Sequence, residues 1–143
     1  MATPMDSNLK LLDDDSSELV DATHYRQIIG SLMYLTNTRP EICFAVNTLS
    51  QYLVQPRWVH LVAKKHVMRY LKGTIDLGIY YDGSHDYRLY GYTNADWVGS
   101  ISDRKITSGR CFCLGSTMIS WFSRKQSSVS LSTAEVEYID LSL

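Results

Sequence analysis

Two short stretches of this chain contain the residues whose types and spacing could support catalysis. Residues 92–99 (YTNADWVG) predict a strand that ends in a turn, and residues 131–138 (LSTAEVEY) predict the start of a helix that carries Glu135 and Glu137. Acidic side chains from a sheet and an adjacent helix are the arrangement by which metal-dependent nucleases hold their ions. However, the first stretch has an amide, Asn94, two residues before its carboxylate Asp96, and an amide supplies no negative charge to a metal ion.

Strand-like runs around these stretches must position them. Aromatic and branched residues with turn signals between them predict strands at residues 77–81, 87–92, 107–114 and 117–123. A turn at 82–84 makes the first two runs a hairpin, and Gly115 with Ser116 separates the last two. The final helix has barely begun at Leu143. Because nothing after it would cover the other face of the sheet, we expect a truncated domain.

The first half of the chain has helical periodicity instead. Apolar residues spaced three and four apart predict amphipathic helices over about residues 22–36, 40–55 and 58–71. Asp21 is the expected N-cap of the first helix, and Pro40 fits the first position of the second. We expect Pro56 to end the second helix and Gly73 to close the third in a left-handed conformation.

Composition and charge limit the classes of function. With 143 residues, 45% of them hydrophobic, the chain fits a globular protein, and no apolar run suits a membrane span or a secretory signal. Residues 1–21 have one lysine and six acidic residues, whereas residues 57–73 have five cations and no acidic residue. Such a basic segment can face phosphates, but it is more often the solvated side of a helix. The three cysteines form no cluster with metal-ligand spacing, so we expect no metal and no cofactor.

Many consecutive runs resemble one family, the Pol polyprotein of copia-type retrotransposons, where its reverse transcriptase leads into ribonuclease H. The matching runs include YRQIIGSLMYLT (residues 25–36), TRPEI (38–42), RYLKGT (69–74), ADW (95–97), DRK (103–105), TSG (107–109), ISW (119–121), KQ (125–126) and LST (131–133). The resemblance covers nearly everything from about residue 22 onward. It implies an α+β fold, namely a three-helix segment followed by a truncated ribonuclease H-like mixed sheet with one partial helix.

The resemblance divides the chain into three segments and implies where catalysis would lie. The expected segments are a flexible acidic lead-in (residues 1–21), a reverse-transcriptase-derived helical segment (22–75) and a truncated ribonuclease H-like domain (76–143). The ribonuclease H of this family cuts the RNA strand of a hybrid with two Mg²⁺ ions held by carboxylates.

Carried over residue by residue, the first metal-binding aspartate falls on Asn94 and the helix glutamate falls on Glu137. An amide cannot supply the negative charge that a hard cation needs. A weak substitute site from Asp96, Glu137 and Asp140 is a minor alternative to ordinary surface acids. The catalytic aspartates of polymerisation are absent as well, so we expect no enzymatic activity.

A second resemblance is to a secreted RxLR effector of plant-pathogenic oomycetes, a class that enters host cells and suppresses cell death. It implies a non-enzymatic virulence factor that contacts an unknown host plant protein, with no membrane partner and with secretion into the host cell. The Arg-x-Leu-Arg motif itself does not occur in this chain, and no signal segment is visible.

Three function classes follow from these resemblances. An effector is the preferred hypothesis, an inert retrotransposon remnant is the alternative, and an active ribonuclease H comes third. For an effector, the expected contact surfaces are the basic helix and the uncovered sheet, whose residues are Arg57, Lys64, Lys65, Arg69, Trp97 and Trp121. Contact of the basic helix with nucleic acid and packing of the tryptophans in a core are the competing interpretations.

Overall fold

The computed structural model describes residues 2–6, 11, 17–81, 88–96 and 107–125, and for residues 94–96 and 124–125 it describes the backbone alone. The chain divides into two compact units, Met1–Gly78 and Ile79–Leu143. The first contains three α-helices and the second an antiparallel sheet, which confirms the α+β class. No helix in the described part of the chain is long and apolar enough to span a membrane.

Helix α1 (Ala22–Leu35) begins where the sequence predicts. The carboxylate of Asp21 accepts hydrogen bonds from the backbone N–H groups of Thr23 at 2.8 Å and His24 at 3.3 Å. It therefore satisfies two of the donors that a helix N-terminus leaves unpaired. The predicted apolar face is confirmed, with three buried residues and two that pack at the edge of the core: Tyr25, Ile29, Leu32, Ile28 and Leu35.

Pro40 starts the second helical segment as predicted, through a 3-10 turn (Pro40–Ile42) that leads into helix α2 (Cys43–Ser50). The prediction that this helix extends to Pro56 is wrong. Tertiary hydrogen bonds after Ser50 replace further helical turns, namely Tyr52 Oη to Leu11 O at 2.6 Å and Arg26 Nε to Leu53 O at 3.0 Å.

Helix α3 (Trp58–Lys72) agrees with the predicted third helix to within one residue. The prediction of a left-handed Gly73 is wrong, because its φ of −84° and ψ of −3° are right-handed. This helix end needs no left-handed residue, since its last carbonyl groups already have donors. The Gly73 N–H donates to Arg69 O at 3.0 Å, and the Thr74 hydroxyl donates to Tyr70 O at 2.8 Å.

The three helices share one apolar core. Tyr25 is fully buried at its centre, and its hydroxyl donates to Leu49 O at 3.0 Å, which joins α1 to α2. Arg39 joins the connection before α2 to the end of α3, because its Nη2 donates to Thr74 Oγ1 at 2.7 Å. The buried apolar residues are Leu11, Tyr25, Ile29, Leu32, Ile42, Ala45, Val46, Leu49, Ala63, Val67 and Tyr70.

Parts of the acidic lead-in contact the helices, which the sequence does not anticipate. Leu11 is buried in the helical core. Leu19 forms an antiparallel bridge with Arg57, and the Trp58 N–H donates to Glu18 O at 2.9 Å. Residues 17–20, hereafter the N-terminal strap, therefore lie in extended form against the start of α3.

The sheet of the second unit has the strand order β1-β2-β3, formed by Leu89–Asp96, Thr107–Leu114 and Thr117–Lys125. The strands predicted at 107–114 and 117–123 are confirmed. Gly115 in the turn between them has a φ of 59°, a left-handed conformation that glycine adopts without strain. The described strands pair antiparallel throughout, whereas the sequence predicts a mixed sheet, and the predicted partial helix lies outside the described residues.

Residues 77–81 do not form the first strand of the predicted hairpin. Leu77, Tyr80 and Tyr81 are exposed, so this run has no surface on which to bury its apolar side chains. Strand β1 pairs with β2 instead, and the Gly115 N–H donates to Arg88 O at 2.8 Å just before β1 begins. The turn predicted at 82–84 lies outside the described residues.

Candidate contact surfaces and the Asn94 position

The register of the sheet defines the surroundings of the Asn94 position. Asn94 in β1 pairs with Gly109 in β2, which pairs with Ser123 in β3. Residues in register across neighbouring strands share one face of a sheet. This row of three contains no carboxylate, and hard divalent cations need negatively charged oxygen ligands. A metal ion at this row would need carboxylates from other positions of the chain.

Asp96 is the acidic residue two positions further along β1. Its row contains Thr107 and Lys125. Glu137 and Asp140 lie outside the described residues. Among the residues that are described, no group of three or more His, Cys, Asp or Glu side chains is arranged to hold a metal ion.

Trp121 lies in a different row of the sheet. It pairs with Cys111, which pairs with Tyr92, and its side chain is half-buried. None of the three cysteines of the chain forms a disulfide. Burial, together with the adjacent Cys113, raises the pKa of the Cys111 thiol, which lowers its reactivity. A contact role for Trp121 stays a prediction, and Trp97 lies outside the described residues.

The four basic residues predicted as one contact surface do not form one. Arg57 is half-buried, and its Nη1 donates to Ser17 O of the N-terminal strap at 2.7 Å. Lys64 is only 2% exposed, and its Nζ lies 5.9 Å from the centroid of the Tyr25 ring. The prediction is wrong for Lys64 because this residue follows Ala63 and lies on the core side of α3. Arg57 binds the N-terminal strap and does not contribute to an open contact surface.

Replacing Lys64 with methionine is expected to stabilise the chain by about 1 kcal/mol near neutral pH. Burial lowers the pKa of Lys64, and repulsion from Lys65 adds to this effect. The unfolded chain therefore binds this proton more tightly than the folded chain does. As a result, the wild-type free energy of unfolding should rise as the pH increases toward about 10.5, and Lys64→Met should remove that rise.

Urea titrations of both chains at about pH 7 and pH 10 measure this effect. Lys72→Met, an exposed change on the same helix, is the matched control and should leave the pH dependence unchanged. Equal pH dependence in the wild type and in Lys64→Met would contradict the buried position of this ammonium group.

Lys65 and Arg69 are exposed, and the structure groups them with three residues that the sequence analysis did not single out. Trp58, Val62 and Lys72 share their helix face, because the five residues follow at intervals of four, three, four and three. Trp58 is 52% exposed, and Lys65 Nζ lies 5.2 Å from the centroid of its ring. We call these five residues the α3 outer face. Their spacing in the sequence is the signal that could have identified them.

Comparison with known proteins finds relatives that match nearly the whole chain. The chain is 45% identical over 138 residues to the retrovirus-related Pol polyprotein from transposon RE2 of Arabidopsis thaliana, covering 96% of this chain and 10% of that protein. It is 39% identical over 144 residues to the uncharacterized mitochondrial protein AtMg00810 of the same plant, covering 100% of this chain and 59% of that protein.

A third relative is the secreted RxLR effector protein 161 of Plasmopara viticola. It is 41% identical over 119 residues, covering 82% of this chain and 84% of that protein. No protein-family model matches the chain, and no solved structure matches it.

The chain thus spans about a tenth of the length of the Pol polyproteins that it matches, but most of the effector protein. These similarities cover both the helical unit and the sheet. The chain belongs to the family of sequences related to the Pol polyproteins of copia-type retrotransposons.

Proposed function

We propose that this chain is a Pol-derived segment with neither polymerase nor ribonuclease activity of its own. The observation that carries the proposal is Asn94, which stands where the family resemblance requires the first metal-binding aspartate. Its row in the sheet supplies no carboxylate in compensation, only Gly109 and Ser123. Replacing a charged ligand with an amide weakens the binding of hard cations, because the amide supplies no negative charge.

The first unit of the chain supports the same proposal. The helical unit is stabilised by a continuous apolar core, so its residues have a structural explanation that needs no active site. The experiment that tests the proposal is an RNA·DNA hybrid cleavage assay on the full chain, in which we expect no product.

A second candidate function is that of a secreted RxLR-class effector, acting inside plant cells through protein contacts to suppress cell death and immunity. The observation that favours it is the match to RxLR effector protein 161, which extends over most of both chains. We place it second because the Pol polyproteins match this chain at higher identity and over more of its length.

Expression of the full chain in leaf cells together with a cell-death elicitor tests the second candidate. An effector should reduce necrosis relative to an unrelated protein of similar size expressed at the same level. Immunoblotting must show that both proteins accumulate. Unchanged necrosis with the chain present would contradict the effector function and leave the inert Pol remnant as the explanation.

A further inference from the structure

We propose that the α3 outer face is a docking surface for an acidic protein segment that carries large apolar anchors. The face has two chemically distinct ends. Trp58 and Val62, which are 52% and 45% exposed, form an apolar end near the start of the helix. Lys65, Arg69 and Lys72 are exposed and form a cationic end.

The charge of this face is complementary to an acidic partner. Residues 57–73 contain no acidic residue, so no carboxylate on this helix neutralises the three exposed cations. At 1.5 Å per residue the cations extend over about 10 Å, and the whole face extends over about 21 Å. A partner segment of two to three helical turns therefore matches the length of the cationic end.

The apolar end favours a protein over the other anionic partners. Trp58 and Val62 are two of the five residues of the face, and exposed tryptophan is a common anchor of protein interfaces. A phosphate backbone would match the cations but would leave these two side chains without apolar contacts. Lys65 lies over the Trp58 ring, so the two ends of the face are already in contact before a partner binds.

The test uses a synthetic probe of stated design. A fluorescent helical peptide of about 15 residues, the length of α3, carries two leucines near one end and three glutamates along one face. We expect measurable anisotropy changes with the full chain at low salt and weaker binding at about 0.5 M salt, because exposed ion pairs are screened. Peptides with Glu→Gln or Leu→Ala changes should both bind more weakly.

Matched variants of the chain locate the binding. The triple variant Lys65→Gln, Arg69→Gln, Lys72→Gln should weaken binding about tenfold, and Trp58→Ser should weaken it at any salt concentration. The control Gln27→Glu, Asn37→Asp, Gln55→Glu changes the net charge by the same amount at exposed positions elsewhere and should bind nearly as tightly as the wild type. Circular dichroism confirms that each variant is folded.

Several results would overturn the proposal. They are a wild-type Kd weaker than about 1 mM, equal binding of the Glu→Gln peptide, or equal loss in the two triple variants. Tighter binding to a single-stranded RNA or to phosphatidylserine vesicles than to the peptide would overturn it as well. Docking on the α3 outer face does not depend on the absence of ribonuclease activity or on effector activity. The peptide titration therefore tests this proposal independently of the cleavage assay and the leaf assay.

Discussion

Replacing Tyr25 with alanine is expected to lower the free energy of unfolding of the helical unit by about 4 kcal/mol. Tyr25 is 0% exposed, and its removal leaves a cavity among the apolar residues of all three helices. It also leaves Leu49 O without the hydroxyl donor that lies 3.0 Å away. Urea unfolding followed by far-ultraviolet circular dichroism measures the loss, because the helices dominate that signal.

Two further substitutions make the Tyr25 prediction specific. Tyr25→Phe should cost only about 1 kcal/mol, since it removes the hydrogen bond and keeps the ring. Tyr34→Ala is the matched control on the same helix, and it should change stability by less than about 0.5 kcal/mol because Tyr34 is 81% exposed. Similar losses for Tyr25→Ala and Tyr34→Ala would show that α1 does not pack through the face described above.

Replacing His60 with alanine is expected to destabilise the helical unit by about 3 kcal/mol and to loosen the N-terminal strap. His60 is 0% exposed and stacks on Tyr52, with 3.8 Å between ring centroids and 20° between ring planes. Its Nδ1 accepts the backbone N–H of Arg57 at 3.0 Å. Alanine removes both interactions at the point where Arg57 pairs with Leu19 of the strap.

Hydrogen exchange gives a local readout of the His60 prediction. The amides of Val20 and Trp58, which donate the hydrogen bonds between the strap and residues 56–58, should exchange faster in His60→Ala. His24→Ala is the control, because His24 is exposed on α1. If the two variants lose equal stability, or if exchange at these amides does not change, His60 does not anchor the strap.

Periodicity predicted the helices well because burial follows spacing in an amphipathic helix. The start of α1 at Asp21 and the core residues Ile29, Val46 and Val67 were all identifiable from intervals of three and four. The end of α2 was not, because hydrogen bonds from Tyr52 and Arg26 to distant carbonyl groups stop that helix. Such contacts depend on the tertiary arrangement and leave no local signal.

The candidate site shows the same division between local and tertiary information. Asn94 could be identified from its run of neighbours in the sequence, whereas the row that surrounds it depends on strand register. Lys64 was mispredicted because lysine is seldom fully buried, and the ring of Tyr25 offers a contact that the sequence does not reveal. Trp58 was overlooked as an exposed residue because large aromatic side chains are usually largely buried, although its spacing places it on the helix face of Lys65 and Arg69.

The measurement that tests the central claim most directly is cleavage of an RNA·DNA hybrid with a labelled RNA strand by the full 143-residue chain. It should be made in Mg²⁺ and in Mn²⁺, beside an active ribonuclease H as a positive control and beside the Glu137→Ala variant as a matched negative control. We predict that the chain and the variant release no more labelled product than buffer does. Metal-dependent cleavage by the chain that Glu137→Ala abolishes would contradict the account.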